Sequence, residues 1–210
     1  MVDINLETGS THDRIRDAAL ELFGEKGYDG ASMSDLAERV GIAKPSLYNY
    51  YRSKEELLLD LVDQGMTLWT AACMAPFHRG GTFGRQLADH LRLSVDFARQ
   101  RPHVVALFHL ATTHVQGELS RRVETLVRQK ESEIREVIHR RIVEALESGE
   151  LSAASAAGVH VFLGIFFHGL LFLQTNCGHD VGPLHEHLDE VWRFLYRGLS
   201  GREPNEVLSS

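Results

Sequence analysis

The chain has 210 residues, 43% hydrophobic and 24% charged, enough apolar material for a sizeable core and too much for a globally disordered chain. Lysine and arginine total 22 against 29 aspartate and glutamate, a formal net charge of −7. That balance excludes a broad polybasic coat but not a local basic surface.

In chain order, the patterns have the helical period. Ile15, Ala18, Ala19, Leu22 and Phe23 form the first amphipathic stripe, capped by Ser10 or Thr11 and ended by Gly27 after Lys26. Ser32 or Ser34 opens a short second helix with Leu36, Ala37 and Val40 inward and Gly41 at its close. A third starts at Lys44-Pro45, where proline suits a first turn. Ser53 caps a fourth, and Ser53 with Glu56 has the spacing of a capping box ahead of Leu57, Leu58, Leu61 and Val62.

A glycine-rich joint at Arg79-Gly80-Gly81 follows Pro76. Helical patterns resume at about 83–99, 102–113, 118–147, 153–176 and 184–199. Val123, Val127, Ile134, Val137, Ile138, Ile142 and Ala145 line one face of the long helix. Leu188, Val191, Trp192, Leu195, Tyr196 and Leu199 line the last. No convincing alternating strand, repeat or low-complexity tract interrupts the series, and 1–10 and 201–210 read as disordered tails.

Cys73 and Cys177 are too few for a disulfide scaffold and fit a reducing compartment. Residues 1–10 lack the basic and apolar regions of a secretory signal. The most apolar stretch, 159–173, is shorter than the roughly 18 residues of a membrane span and carries His160 and His168. The expectation is a soluble cytoplasmic protein with no membrane partner.

The informative segment is 32–54, SMSDLAERVGIAKPSLYNYYRSK. Two short helices separated by Gly41-Ile42-Ala43 form a helix-turn-helix pattern, with Gly41 freeing the turn and Ile42 placed to plug the space between Leu36 and Leu47. Basic and acidic residues balance across 11–54, seven of each, yet 44–54 holds three basic residues and no acidic one, with Tyr48, Tyr50 and Tyr51 interleaved. Lysine neutralises phosphate, serine and tyrosine hydroxyls donate to it, and Asn49 has the side chain for a bidentate pair with adenine.

Those residues resemble a known family. Gly27-Tyr28, Ser32, Leu36-Ala37, Val40-Gly41, Leu47-Tyr48, Tyr50-Tyr51 and Ser53-Lys54-Glu55-Glu56-Leu57 are similar to the DNA-binding domain of TetR-type (tetracycline-repressor-like) transcriptional regulators, over about 13–61. Gly24 within the first helix and Tyr51 in place of a commoner phenylalanine depart from the pattern without touching a DNA-facing position. The resemblance implies an all-α chain. Residues 11–53 would form a three-helix helix-turn-helix DNA-binding domain, and 54–200 a helical effector-binding and dimerisation domain. It further implies a ligand-responsive homodimeric repressor on a palindromic double-stranded operator; the aromatic residues of the later helices point to a small, largely apolar effector, and no cofactor or catalytic residue is assigned. Carried over by position, Lys44, Ser46, Tyr48, Asn49 and Tyr50 lie on the recognition helix, and Lys54 resembles the family's phosphate-contacting lysine. Ser32 and Ser34 would offer hydroxyl and backbone N–H groups to a phosphate. Leu47 and Tyr51 read as core; Arg52 reads equally as phosphate contact or solvated surface.

In the remainder, 153–176 is apolar nearly all round and cannot face water. Gly164 and Gly169 allow close helix approach there, and with Phe172, Trp192 and Leu195 they are the dimer-interface candidates, in an intersubunit four-helix bundle. Core packing is the competing reading for Trp192, Phe166 and Phe172. Trp69, Phe97, Phe108, His109, Phe162 and Phe166 offer aromatic walls with little charge for an effector.

Twelve histidines raise metal sensing, through His103, His109 and His114 or His179, His185 and His187, but neither set has a diagnostic ligand spacing and no metal site is assigned. Of the Glu-x-x-His pairs that a di-iron bundle needs, Glu136 and His139 alone fit; no zinc helix, phosphate-cradling loop or nucleophile elbow occurs. A protein-binding adaptor would leave the acid-free 44–54 surface unexplained.

Overall fold

A computed structural model describes residues 10–152, 155–176 and 184–204. Of the expected tails at 1–10 and 201–210, residues 1–9 and 205–210 lie outside the described residues, as do the helix start at 153, Cys177 and His179. Among the described residues the chain is helical without strands: α1 (Thr11–Gly30), α2 (Met33–Val40), α3 (Lys44–Tyr48), α4 (Lys54–Cys73), a 3₁₀ turn at Ala75–His78, α5 (Phe83–Gln100), α6 (Pro102–Thr113), α7 (Gly117–Glu147), α8 (Ala156–Asn176), a second 3₁₀ turn at Leu184–His187, and α9 (Leu188–Ser200).

The punctuation is local chemistry. Ser10 caps α1 and Ser32 caps α2, each in a reciprocal capping box with Asp13 or Asp35. Gly41 closes α2 in the left-handed region at φ 75°. Gly27 does not end α1 as its sequence suggests; at φ 70° and ψ 172° it kinks the helix, which resumes to Gly30. Thr82 caps α5 through the Arg85 N–H, and the Glu150 carboxylate accepts from the N–H groups of Phe83 at 2.9 Å and Gly84 at 2.6 Å. A carboxylate there complements the positive end of the helix.

The chain divides into two units. The first comprises Met1–Gly65 with Ala106–Val127, the second Met66–Val105 with Arg128–Ser210. In the first, α1 buries Ile15, Ala19, Leu22 and Phe23, α2 buries Met33, Leu36, Ala37 and Val40, and α4 buries Leu57, Leu58, Leu61 and Val62. Leu47 of α3 is fully buried and Ile42 half-buried, consistent with a plug in the turn. Arg14 Nη2 donates to the Val40 carbonyl at 2.6 Å, tying α1 to the end of α2.

In the second unit α5 packs on α8 and α9. Phe83, Leu87, Leu91 and Val95 of α5, Ile142 and Ala145 of α7, Val159, Leu163 and Leu170 of α8, and Leu188, Trp192, Leu195 and Leu199 of α9 form one core cluster. Trp192 and Leu195, expected at a dimer interface, are therefore core residues of a single chain, Trp192 with no exposed surface. The reason is the 3–4 spacing, which turns α9's apolar stripe onto α5 and leaves Phe194 outside, 71% exposed.

Candidate functional site

α3 is only five residues long, with Pro45 in its first turn, and hydrogen bonds from the Tyr50 and Tyr51 N–H groups to the Leu47 carbonyl extend it through another turn. This short element buries Leu47 and turns Lys44, Ser46, Tyr48, Asn49 and Tyr50 to solvent, the two tyrosines each 42% exposed. Phenolic tyrosines exposed in that way, among a lysine, a serine and an asparagine, present donors and flat apolar edges without a competing carboxylate on their own segment.

A polar network holds the far end of this surface. Tyr51 donates its phenol to Asp60 Oδ2 at 2.6 Å, and Arg16 reaches both carboxylate oxygens at 2.7 and 3.2 Å. Burial alone would raise the Asp60 pKa, but the hydrogen bonds from Arg16 and Tyr51 outweigh it and hold the carboxyl below its usual range. The His12 ring stacks on Tyr51 at 5.1 Å and on Tyr50 at 5.9 Å, so α1 supports the exposed Tyr50 from beneath.

Ser32 and Ser34 are exposed beside this surface. The Ser32 hydroxyl accepts from the Asp35 N–H at 3.1 Å, and its side-chain bond to Asp35 helps, after Lys26, to hold that carboxyl below its usual range. Lys54 sits differently from a free phosphate lysine. Its half-buried ammonium donates to the carbonyls of Tyr28 at 2.7 Å and Ala31 at 3.0 Å and lies 4.3 Å over the Tyr28 ring. The kinked end of α1 carries no basic residue of its own, and Lys54 supplies the cation that its last carbonyls lack. Two of its three N–H groups are thereby engaged. Burial, with Glu55 and Asp29 nearby, pushes the Tyr28 phenol up to about 12.

The six effector candidates are divided between the units: Phe108 and His109 belong to the first, Trp69, Phe97, Phe162 and Phe166 to the second. Phe97 is buried, Phe162 is 46% exposed, and Trp69 and Phe166 pack against the second unit's core. Sequence reasoning missed the centre of that aromatic group. His90, 3% exposed, lies 5.9 Å from Trp69, 5.3 Å from Phe77 and 4.5 Å from Phe167, and Phe167 meets Phe166 at 5.2 Å. The available signal was its register: His90 and Ser94 fall one turn apart among Leu87, Leu91 and Val95 on the buried face of α5.

Of the other dimer candidates, Gly169 and Phe172 are exposed and Gly164 half-buried, and a Cβ on either glycine would meet nothing within 4 Å in this chain. The His109 and His114 rings are 5.5 Å apart, His103, His185 and His187 are exposed, and no three potential ligands come together to hold a metal among the described residues. No described helix is long and apolar enough to cross a membrane.

The helix-turn-helix geometry is the one a family pattern recognises. The pattern described as bacterial regulatory proteins, tetR family, matches residues 15–61. The HTH-type transcriptional regulator YezE of Bacillus subtilis (strain 168), itself uncharacterized, is 26% identical over 173 residues, spanning 81% of this chain and 89% of its own. The biofilm operon icaADBC negative transcriptional regulator IcaR of Staphylococcus epidermidis is 51% identical over 45 residues, 21% of this chain and 24% of its own. Among solved structures, AibR in complex with isovaleryl coenzyme A and operator DNA superposes with a TM-score of 0.72 at 16% identity, covering 89% of this chain and 98% of that one, a likeness of fold. Residues 15–61 are thus similar to the tetR family of bacterial regulatory proteins, and the chain as a whole is similar to transcriptional regulators.

Proposed function

We propose that the protein is a homodimeric repressor that binds a near-palindromic operator and releases it on binding a small, largely apolar effector. The observation that carries the DNA half is the acid-free surface of Lys44, Ser46, Tyr48, Asn49 and Tyr50, held outward by buried Leu47 and braced by His12 and Tyr51. Each protomer inserts that surface into a major groove, so a two-fold axis demands half-sites about one helical turn, or a multiple, apart. The proposed site is cytoplasmic, where the operator is.

Support for a dimer comes from α8 and α9. Val161 is 60% exposed, Ile165 70%, Phe194 71%, and Phe162, Phe172 and Leu173 between 41% and 46%. Large apolar side chains exposed on two helices that both pack on α5 call for a partner surface, and a second copy offers the same one. The aromatic group around Trp69, His90, Phe166 and Phe167 supports an apolar effector. AibR was solved with an acyl coenzyme A, which places acyl thioesters in the effector panel. Release requires that the effector favour a dimer whose recognition surfaces no longer match the operator, since equal affinity for both states shifts nothing.

The test is a mobility shift with DNA from immediately upstream of the protein's own gene, repeated with acyl thioesters, small uncharged aromatics, zinc and chelator. Specific retardation reversed by an organic compound is the expected result. Absence of binding at low salt would remove the operator assignment, and release by zinc alone would replace the organic effector with a metal.

A further inference from the structure

Two turns of helix face each other in the second unit: Trp69 and Cys73 on α4, His90 and Ser94 on α5. His90 ties the two together: its Nδ1 lies 2.7 Å from the Cys73 carbonyl, and its ring meets the Trp69 ring at 5.9 Å. A carbonyl only accepts, so Nδ1 carries the proton and Nε2 presents a lone pair. Burial pushes the His90 pKa down to about 4, against a small opposing effect of that carbonyl, so the ring is neutral at pH 7.

The neighbouring polar atoms are left without partners. Trp69 Nε1 and Ser94 Oγ are both buried with no hydrogen bond, and Ser94 as a whole is 1% exposed. The Ser94 hydroxyl has the Cys73 sulfur beside it and acts on that thiol, but sulfur is a weak partner and leaves the hydroxyl without a well-formed bond. Buried polar groups are normally satisfied, and leaving one unmade is costly. Two such groups beside the same histidine, from two helices and within aromatic walls, have the composition of a ligand site.

We propose that Trp69, His90 and Ser94 form a buried polar subsite that takes one uncharged hydroxyl or carboxamide of an otherwise apolar effector. The inference rests on the effector reading above and deepens it. The Trp69 N–H gives to the ligand's oxygen, His90 Nε2 accepts from its O–H or N–H, and Ser94 completes either bond. A carboxylate or phosphate is disfavoured because it has no proton for Nε2 and would be buried without a countercharge from these three side chains. An ammonium is disfavoured because it offers no acceptor to the indole N–H.

The experiment is calorimetric titration of the full chain with benzamide, benzyl alcohol, toluene, benzoate and benzylamine at pH 7, on wild type, Ser94→Ala and Trp69→Phe. Benzamide and benzyl alcohol should bind wild type most tightly and weaken roughly three- to tenfold in each variant, the range of a lost hydrogen bond, while toluene changes less than about twofold. The melting temperature of ligand-free Ser94→Ala should equal or exceed wild type, because the hydroxyl it removes has only the weakly accepting Cys73 sulfur beside it. Tighter binding of benzoate or benzylamine, unchanged benzamide binding in both variants, no binding of benzamide or benzyl alcohol, or a destabilised Ser94→Ala would each overturn the subsite. If one of these occurs while an organic compound still releases the operator, the effector reading survives without the subsite. If no organic compound releases the operator, both fall.

Discussion

Lys54 shows how much one side chain's partners decide. Its position in the Ser53-Lys54-Glu55-Glu56 run suggests a phosphate contact, yet its ammonium is engaged by the Tyr28 and Ala31 carbonyls and the Tyr28 ring. Lys54→Met should lower the stability of the first unit by about 2 kcal/mol, as loss of hydrogen bonds to a charged group does. Its DNA affinity should fall with the salt slope unchanged. Lys44→Ala, at an exposed position, should instead leave stability alone and lower the slope by about one unit. A salt titration of operator binding beside a urea melt separates the two; a slope lowered by Lys54→Met would return that lysine to the phosphate contacts. His90 makes a second claim at this scale. Its folded pKa of about 4 lies below the ordinary 6.5, so between those values the unfolded chain binds more protons. Stability should be flat above about pH 6.5 and fall by about 3 kcal/mol as pH drops toward 4, and His90→Gln should flatten that window in urea unfolding at stepped pH.

At the scale of elements, two glycines are required for different reasons. Gly41 stands at φ 75° with open space where a Cβ would sit, so Gly41→Ala is a pure backbone cost of about 1 kcal/mol at the turn before α3. Gly84 has ordinary helical geometry, but a Cβ there would come within 2.6 Å of the Tyr196 ring and 3.3 Å of Glu150 Oε1. Gly84→Ala should therefore cost about 1–3 kcal/mol by overpacking α5 against α9, read as a lower melting temperature. Gly84→Ala with Tyr196→Leu should recover much of the loss, whereas no pairing of that kind rescues Gly41→Ala.

For the whole molecule, the exposed apolar side chains of α8 and α9 are the feature a lone chain cannot justify. Ile165→Glu with Phe194→Glu should give a monomer by sedimentation equilibrium with the melting transition of the fold retained, because both positions are about 70% exposed and outside the core. Operator affinity should then fall by orders of magnitude, since each half-site binds alone. A dimer unaffected by both charges would place the interface elsewhere. The net charge of −7 belongs to this scale too. It resides in the first ten residues and in 55–210, so the acidic body should keep nonspecific DNA binding weak around a small basic surface.

Periodicity and capping chemistry were legible without coordinates because they are local. Ser10, Ser32, Gly41 and Ser53 act within four residues of their own helix ends, and the helix-turn-helix segment is a run of such signals. The amino-acid sequence by itself therefore determined an all-helical chain, its helix-turn-helix segment and the outward set Lys44, Ser46, Tyr48, Asn49 and Tyr50. The tertiary structure decided what depends on partners far along the chain. Lys54 finds carbonyls 23 and 26 residues away, Trp192 turns into a core shared with α5, and His90 meets a carbonyl 17 residues back and a ring on α8. A side chain's type sets which bonds it can make. Whether those bonds go to DNA, to a ligand or to its own backbone depends on which neighbours folding brings within about 3 Å of it.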